Sequence, residues 1–233
     1  MTVTDVNVVK SAIFERPDDA NKGTLGSLLC VCGSYGMAGA AVMSAKGALR
    51  TGIGLAKCAL PRSIYPIVAQ TILESVYYPL SENADGRISK VNVPFLVSES
   101  CKSSATLVGC GLGVCDDTLK IVFSLIENST TPLVLDADAL NCVAKQPEIL
   151  LRKKAPIIIT PHPGEMSRLT GLATPLVNAE RERVALDFAQ KYGVVTVLKG
   201  AGTVIASPNG KVLVNPTGNS GMATGGSGDV LAE

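Results

Sequence analysis

A chain of 233 residues, 46% hydrophobic and 18% charged, is long enough to bury a substantial core and too apolar to be a disordered segment. Its 21 basic and 20 acidic residues leave a formal net charge of +1, which excludes the electrostatic footprint of a nucleic-acid or anionic-membrane binder and makes a small molecule the default partner. No apolar run reaches membrane-spanning length and the N-terminal stretch has no continuous apolar region, so a cytoplasmic protein is expected. Seven cysteines (30, 32, 58, 101, 110, 115 and 142) form an odd set without CxxC spacing, mostly inside apolar runs, as buried thiols of a reducing compartment do.

Taken in chain order, Met1 to Asn21 reads as an amphipathic helix closed by the polar turn Pro17-Asp18-Asp19. The apolar run Ser27 to Cys32 predicts a buried parallel strand, broken by Gly33-Ser34-Tyr35-Gly36 and followed by a helix over Ala40 to Arg50 with small residues along one side. Leu55 to Leu60 and Ser75 to Tyr78 are strand candidates, and Asn83-Ala84-Asp85-Gly86 is a turn. Thr106 to Val108 enters Gly109-Cys110-Gly111-Leu112-Gly113 ahead of a helix over Asp117 to Glu127. Leu133 to Leu135 ends directly in Asp136-Ala137-Asp138, and the β-branched run Pro156 to Thr160 ends in Pro161-His162-Pro163-Gly164-Glu165. Val177 to Tyr192 is the clearest helix, with Val184, Phe188 and Tyr192 four apart. Strands over Val194 to Leu198, Thr203 to Ala206 and Val212 to Val214 follow, the last two joined by Pro208-Asn209-Gly210 as an antiparallel pair near the sheet edge.

This alternation predicts an α/β fold with a mostly parallel central sheet and helices on both faces, in one domain without repeats or linkers. Ligands of such sheets bind beyond the carboxyl ends of the strands, where Gly33, Gly109, Asp136, His162 and Lys199 fall. The glycine spacings match neither the Rossmann nor the Walker pattern.

The stretch Asn215 to Asp229, with five glycines (218, 221, 225, 226, 228), reads as a phosphate cradle opening a helix, with Asp229 within reach of the anion's neighbour. A flexible tail is the weaker reading, since Thr, Asn and Asp are interleaved and a strand precedes it. His162 is the only histidine and is held between two prolines, which favours a functional role but not a metal site, as no second suitable ligand accompanies it. Glu165 is either an acid in the first turn of a helix or a carboxylate holding magnesium through water. Asp136 and Asp138 are either turn caps or ligand contacts. Lys199-Gly200-Ala201-Gly202-Thr203 is either a nucleotide-approach loop with a point charge or a hairpin with a surface lysine.

Together these motifs resemble the ADP/ATP-dependent NAD(P)H-hydrate dehydratase family, a branch of the ribokinase-like fold. The resemblance runs from Lys22 to Glu233 and is carried by KGTLGS (22–27), GSYGMAGAA (33–41), ALRTGIGL (48–55), GCGLG (109–113), LDADALN (135–141), TPHPGE (160–165), LKGAGT (198–203) and NPTGNSGMATGGSGD (215–229). It implies that the S epimer of hydrated NADH or NADPH binds at Ala40, Gly111, His162 and Asp229, with Asp229 as the catalytic base. It further implies an ADP or ATP site at Lys199, Gly200, Ala201, Gly202, Thr203, Asn219 and Gly228, a magnesium ion, and a homo-oligomeric assembly. Histidine at 162, where ribokinase-like vitamin kinases tend to carry asparagine, favours the dehydratase over such a kinase. Cys110 stands where relatives usually have proline, and the sequence ends at Glu233, short of several tens of residues of helix. A C-terminal helix of about one turn is therefore expected, with weak binding or low activity. The rival readings are a ribokinase-like small-molecule or vitamin kinase and a non-catalytic nucleotide-binding protein.

Overall fold

The computed structural model describes residues 2–3, 10 and 16–232. The strands are β1 (Thr2–Val3), β2 (Ser27–Val31), β3 (Leu55–Pro61), β4 (Val76–Leu80), β5 (Ala105–Val108), β6 (Leu133–Leu135), β7 (Ile157–Ile159), β8 (Val195–Leu198), β9 (Thr203–Ala206) and β10 (Val212–Asn215). Among the described residues they form one sheet in the order β1-β10-β9-β8-β7-β6-β5-β2-β3-β4. Only the β8–β9 and β9–β10 pairs are antiparallel, so the sheet is mostly parallel, as the alternation predicts.

The strands are short apolar runs because both faces of the sheet are covered. Alternate residues of β2 go to opposite sides: Leu29 and Val31 join one buried cluster, Leu28 and Cys30 the other. The helices are α1 (Ala38–Thr51), α2 (Tyr65–Ala69), α3 (Val93–Cys101), α4 (Asp116–Asn128), α5 (Asp138–Val143), α6 (Pro163–Thr170), α7 (Thr174–Ala179), α8 (Arg181–Tyr192) and α9 (Ser227–Leu231). Helix α1 buries Ala40, Ala41, Ser44, Ala45, Gly47 and Ala48, the small side that allows close approach to the sheet. Helix α4 lies on the opposite side, where Ile121, Val122, Leu125 and Ile126 join the larger cluster.

The structure corrects several expectations. The N-terminal helix expected over Met1 to Asn21 falls largely outside the described residues; within them Lys10 is helical, whereas Thr2–Val3 is a strand parallel to β10. Two β-branched residues fit an open sheet edge better than a helix start. The single helix expected over Val177 to Tyr192 is two, α7 and α8, separated at Glu180 (φ −126°, ψ 40°). Val177 and Val184, seven apart, are both buried in the same cluster, so the apolar spacing carries no mark of that break. Helix α3 was not expected; it buries Leu96 and Ser100, and the Ser100 hydroxyl is hydrogen-bonded to those of Thr106 (2.9 Å) and Ser129 (2.7 Å).

Candidate active site

The site is built on strand ends that lie in register. Val31 of β2 pairs with Val108 of β5, Val108 with Leu135 of β6, and Leu135 with Ile159 of β7. Hydrogen bonding continues one or two residues past the strands: the Asp136 N–H donates to Val108 O (3.1 Å), Thr160 N–H to Leu135 O (3.2 Å), and Lys199 N–H to Pro161 O (2.8 Å). Cys110, Asp136, Thr160 and Lys199 therefore stand in a row on one edge. The chain reverses its direction across the sheet between β2 and β5, the position where open α/β sheets form a ligand crevice.

Asp136 is the hub. It is 1% exposed, and its Oδ1 accepts from Lys199 Nζ (2.5 Å) and Thr160 Oγ1 (2.6 Å), while Oδ2 accepts from the Cys110 thiol (3.7 Å). Lys199 is thus committed to a buried carboxylate. The surface lysine of the hairpin reading is corrected, although Lys199 to Gly202 do form the β8–β9 hairpin turn. The next residue, Ala137, is the one non-glycine with positive φ (49°) among the described residues, a strained conformation at the hub's own neighbour. Asp138 opens α5 and accepts from Gly113 N–H (2.8 Å). The sequence marks Asp136 as either a turn cap or a ligand contact and gives Thr160 and Cys110 no site role, because their meeting depends on strand order, which no single motif carries.

The glycine-rich stretch folds back onto this row. Asn219 caps a short 3-10 turn by accepting from Gly221 N–H (2.9 Å), and α9 begins at Ser227. Its described part, Ser227–Leu231, is one turn long. It is nevertheless docked: Ala232 is buried in the cluster that covers α1, and Gly226 sits so close that an added Cβ would lie 2.1 Å from Met43 Sδ. Asp229 comes from this helix into the row, where donor atoms of Asp229, Asp136 and Cys110 all lie within 4.8 Å of one another. Burial, then the nearby Asp136 charge, raises the Asp229 carboxyl above its ordinary value, opposed by the Cys110 thiol and Lys199. Gly228 is also near Lys199, with the position of an added Cβ 3.6 Å from Nζ.

The substrate-side residues converge on the same turn. Gly111 faces Ala40 at the start of α1, where a Cβ on Gly111 would stand 2.7 Å from the Ala40 Cβ. The Ser34 hydroxyl donates to Gly111 O (2.8 Å) and fixes the turn to the loop after β2. His162 is the N-cap of α6: its Nδ1 accepts from Gly164 N–H (3.0 Å) and Glu165 N–H (3.3 Å), and Glu165 returns the bond by accepting from His162 N–H (2.8 Å). With Nδ1 used as an acceptor, the ring proton of a neutral imidazole is on Nε2, which lies 3.5 Å from Glu165 Oε1 on a half-exposed side chain. Glu165 is buried, and burial raises its carboxyl, with the His162 N–H acting against that shift.

Against the β8–β9 turn lies a cavity of about 640 Å³ whose lining includes Asn178, Arg181, Ala201, Gly202, Val204 and Val214. Arg181 donates to Leu198 O (2.8 Å) and braces the turn. Ala201 and Gly202, from the turn that follows Lys199, form part of the cavity wall.

The residues do not form a direct magnesium site. A thiol and a carboxylate already paired with an ammonium are a poor donor set for an ion that demands hard oxygen ligands in an octahedron. Glu165 has an oxygen committed to the helix cap.

Residues 28–232 match the family model described as NAD(P)H-hydrate dehydratase. The chain belongs to the NAD(P)H-hydrate dehydratase family. Among curated family members, the bifunctional NAD(P)H-hydrate repair enzyme of Thermofilum pendens is 42% identical over 93% of this chain. The chain spans 41% of that relative's length. Among solved family structures, the ADP/ATP-dependent NAD(P)H-hydrate dehydratase of Bacillus subtilis, co-crystallised with ATP and Mg2+, superposes with a TM-score of 0.83 at 31% identity, covering 99% of this chain and 78% of that one. A ribokinase-like superfamily protein of Enterococcus faecalis reaches the same TM-score at 23% identity, over 99% and 77% of the two chains, which establishes the fold as ribokinase-like. No helix among the described residues is long and apolar enough to cross a membrane.

Proposed function

We propose that the chain is a hydro-lyase that uses ADP or ATP to dehydrate the S epimer of hydrated NADH or NADPH, in the cytoplasm. The observation that carries the proposal is the position of Asp229, close to Cys110 and Asp136, with the Ala40–Gly111 contact on one side and the Lys199–Thr203 turn and its cavity on the other. The hydrated dinucleotide would lie over Ala40 and Gly111, with His162 Nε2–H as a donor to it, and the adenine nucleotide would occupy the cavity beside Gly200–Thr203, near Asn219 and Gly228. Asp229, its basicity raised by burial, accepts the proton of the ring hydroxyl as that oxygen bonds to the terminal phosphorus of the nucleotide. The bond from phosphorus to the bridging oxygen breaks and the shortened nucleotide leaves. The ring nitrogen lone pair then expels phosphate, and loss of a proton from the adjacent ring carbon restores the reduced nicotinamide. Magnesium, present with ATP in the Bacillus subtilis crystals, would arrive with the nucleotide phosphates and neutralise their charge, with Glu165 reaching it only through water.

Hydrated NADH or NADPH incubated with ADP or ATP and Mg2+ should regain dihydronicotinamide absorbance in step with phosphate release. Recovery with neither nucleotide, or release of a stable phosphate ester in place of NAD(P)H, would contradict the proposal. His162 separates capping from recognition. His162→Ala, which loses the cap, is expected to cost about 1 kcal/mol of stability. His162→Asn keeps a capping side chain, so it should retain the parental melting temperature while the hydrate KM rises.

A further inference from the structure

The row around Asp229 contains more than a base needs. Asp136 is held as a buried anion by two strong donors on one oxygen, Lys199 Nζ and Thr160 Oγ1, while its other oxygen accepts from Cys110. Cys110 is fully buried, and its contact with Cys32, its burial and the Asp136 charge all push the thiol up, so it is a neutral S–H donor rather than a thiolate. The same sulfur and an Asp229 carboxylate oxygen lie within 4.8 Å of each other. The titratable groups facing Asp229 are Asp136, Cys110, Lys199 and Asp138, whereas α1, on which α9 rests, presents Met43 there.

We infer that Asp136 and Cys110 are positioning residues for Asp229, Asp136 strengthening the base by its negative charge and Cys110 moderating that charge by its thiol hydrogen bond to Asp136. Lys199 and Thr160 act on Asp229 through Asp136, by holding that carboxylate in place. The inference rests on the reading of Asp229 as the base and deepens it. Its sign is specific. Removing the Asp136 charge makes ionised Asp229 easier to form, and it also releases Lys199 to approach it. Removing the thiol takes a donor from Asp136, leaves more of its negative charge facing Asp229, and so makes the ionised form of Asp229 harder to reach.

The test is the pH dependence of kcat/KM for hydrate dehydration, measured on the full chain. In Asp136→Asn the acidic limb should move to lower pH by about one unit, and in Cys110→Ala it should move to higher pH; Cys110→Ser, which keeps a donor, should restore the parental limb. Limbs that stay in place, or that move the same way in both variants, overturn the inference, because a merely structural loss lowers activity without opposite shifts. Should Asp136→Asn fail to fold, Cys110→Ala alone decides: an unshifted limb overturns the inference. Asp229→Asn keeps the two readings apart. Parental turnover in that variant removes the base itself, whereas an inactive Asp229→Asn with unshifted limbs leaves the base standing and removes only the roles of Asp136 and Cys110.

Discussion

Asp229→Asn is expected to lower kcat for hydrate dehydration by about 100- to 10,000-fold, the range that a positioned general base contributes. Asparagine keeps the size and the hydrogen-bonding reach of the side chain, so α9 should dock unchanged and the melting temperature should stay near the parental value. The amide removes the cost of holding a raised carboxyl beside Asp136, so any stability change should be small or favourable. Hydrate KM should change far less than kcat, because Ala40, Gly111 and His162 are untouched. Steady-state kinetics with a parallel thermal scan checks both parts; parental kcat would remove Asp229 from the chemistry.

Gly109→Ala should have the largest effect on stability. Gly109 has φ +126°, where L side chains are rarely found, and an added Cβ would lie 2.0 Å from Asp136 O and 2.7 Å from the Ala139 Cβ. The obstruction is main chain from the turn that carries the hub, so the clash cannot be relieved without displacing Asp136. A loss of about 3 kcal/mol or more is expected, equivalent in a domain of this size to a fall in Tm of roughly 6–12 °C. Activity should fall with it. Gly39→Ala is the control. Gly39 lies in the first turn of α1 with nothing within 4 Å of the added Cβ, and alanine there should be neutral or stabilising by up to about 1 kcal/mol.

The layout of the sheet was legible because its strands are short apolar runs separated by turn or polar residues, and β2 to β10 fall within one or two residues of their expected bounds. Strand order was not legible, and the site depends on it. Lys199 and Asp136 are 63 residues apart, and only the sequence of neighbours β6, β7 and β8 brings the ammonium onto the carboxylate. A lysine beside two glycines carries no sign of its partner, so it was read as a charge for nucleotide or solvent. His162 shows the converse. Its flanking prolines marked a fixed backbone, but its Nδ1 bonds to α6 belong to a cap, a role more familiar from Ser, Thr, Asp and Asn. The break between α7 and α8 escaped notice because apolar spacing continues through it.

Helix α1 touches both halves of the proposed reaction. Its first turn sets Ala40 against Gly111, and Met43, less than one turn further on, receives Gly226 at the head of α9. Acceptor and base are therefore gauged from a single stiff ruler rather than from two loops that drift separately. A tilt of α1 would carry both the same way and leave their spacing almost unaltered. In the proposed reaction, the tolerance to motion would then depend on one methionine–glycine joint.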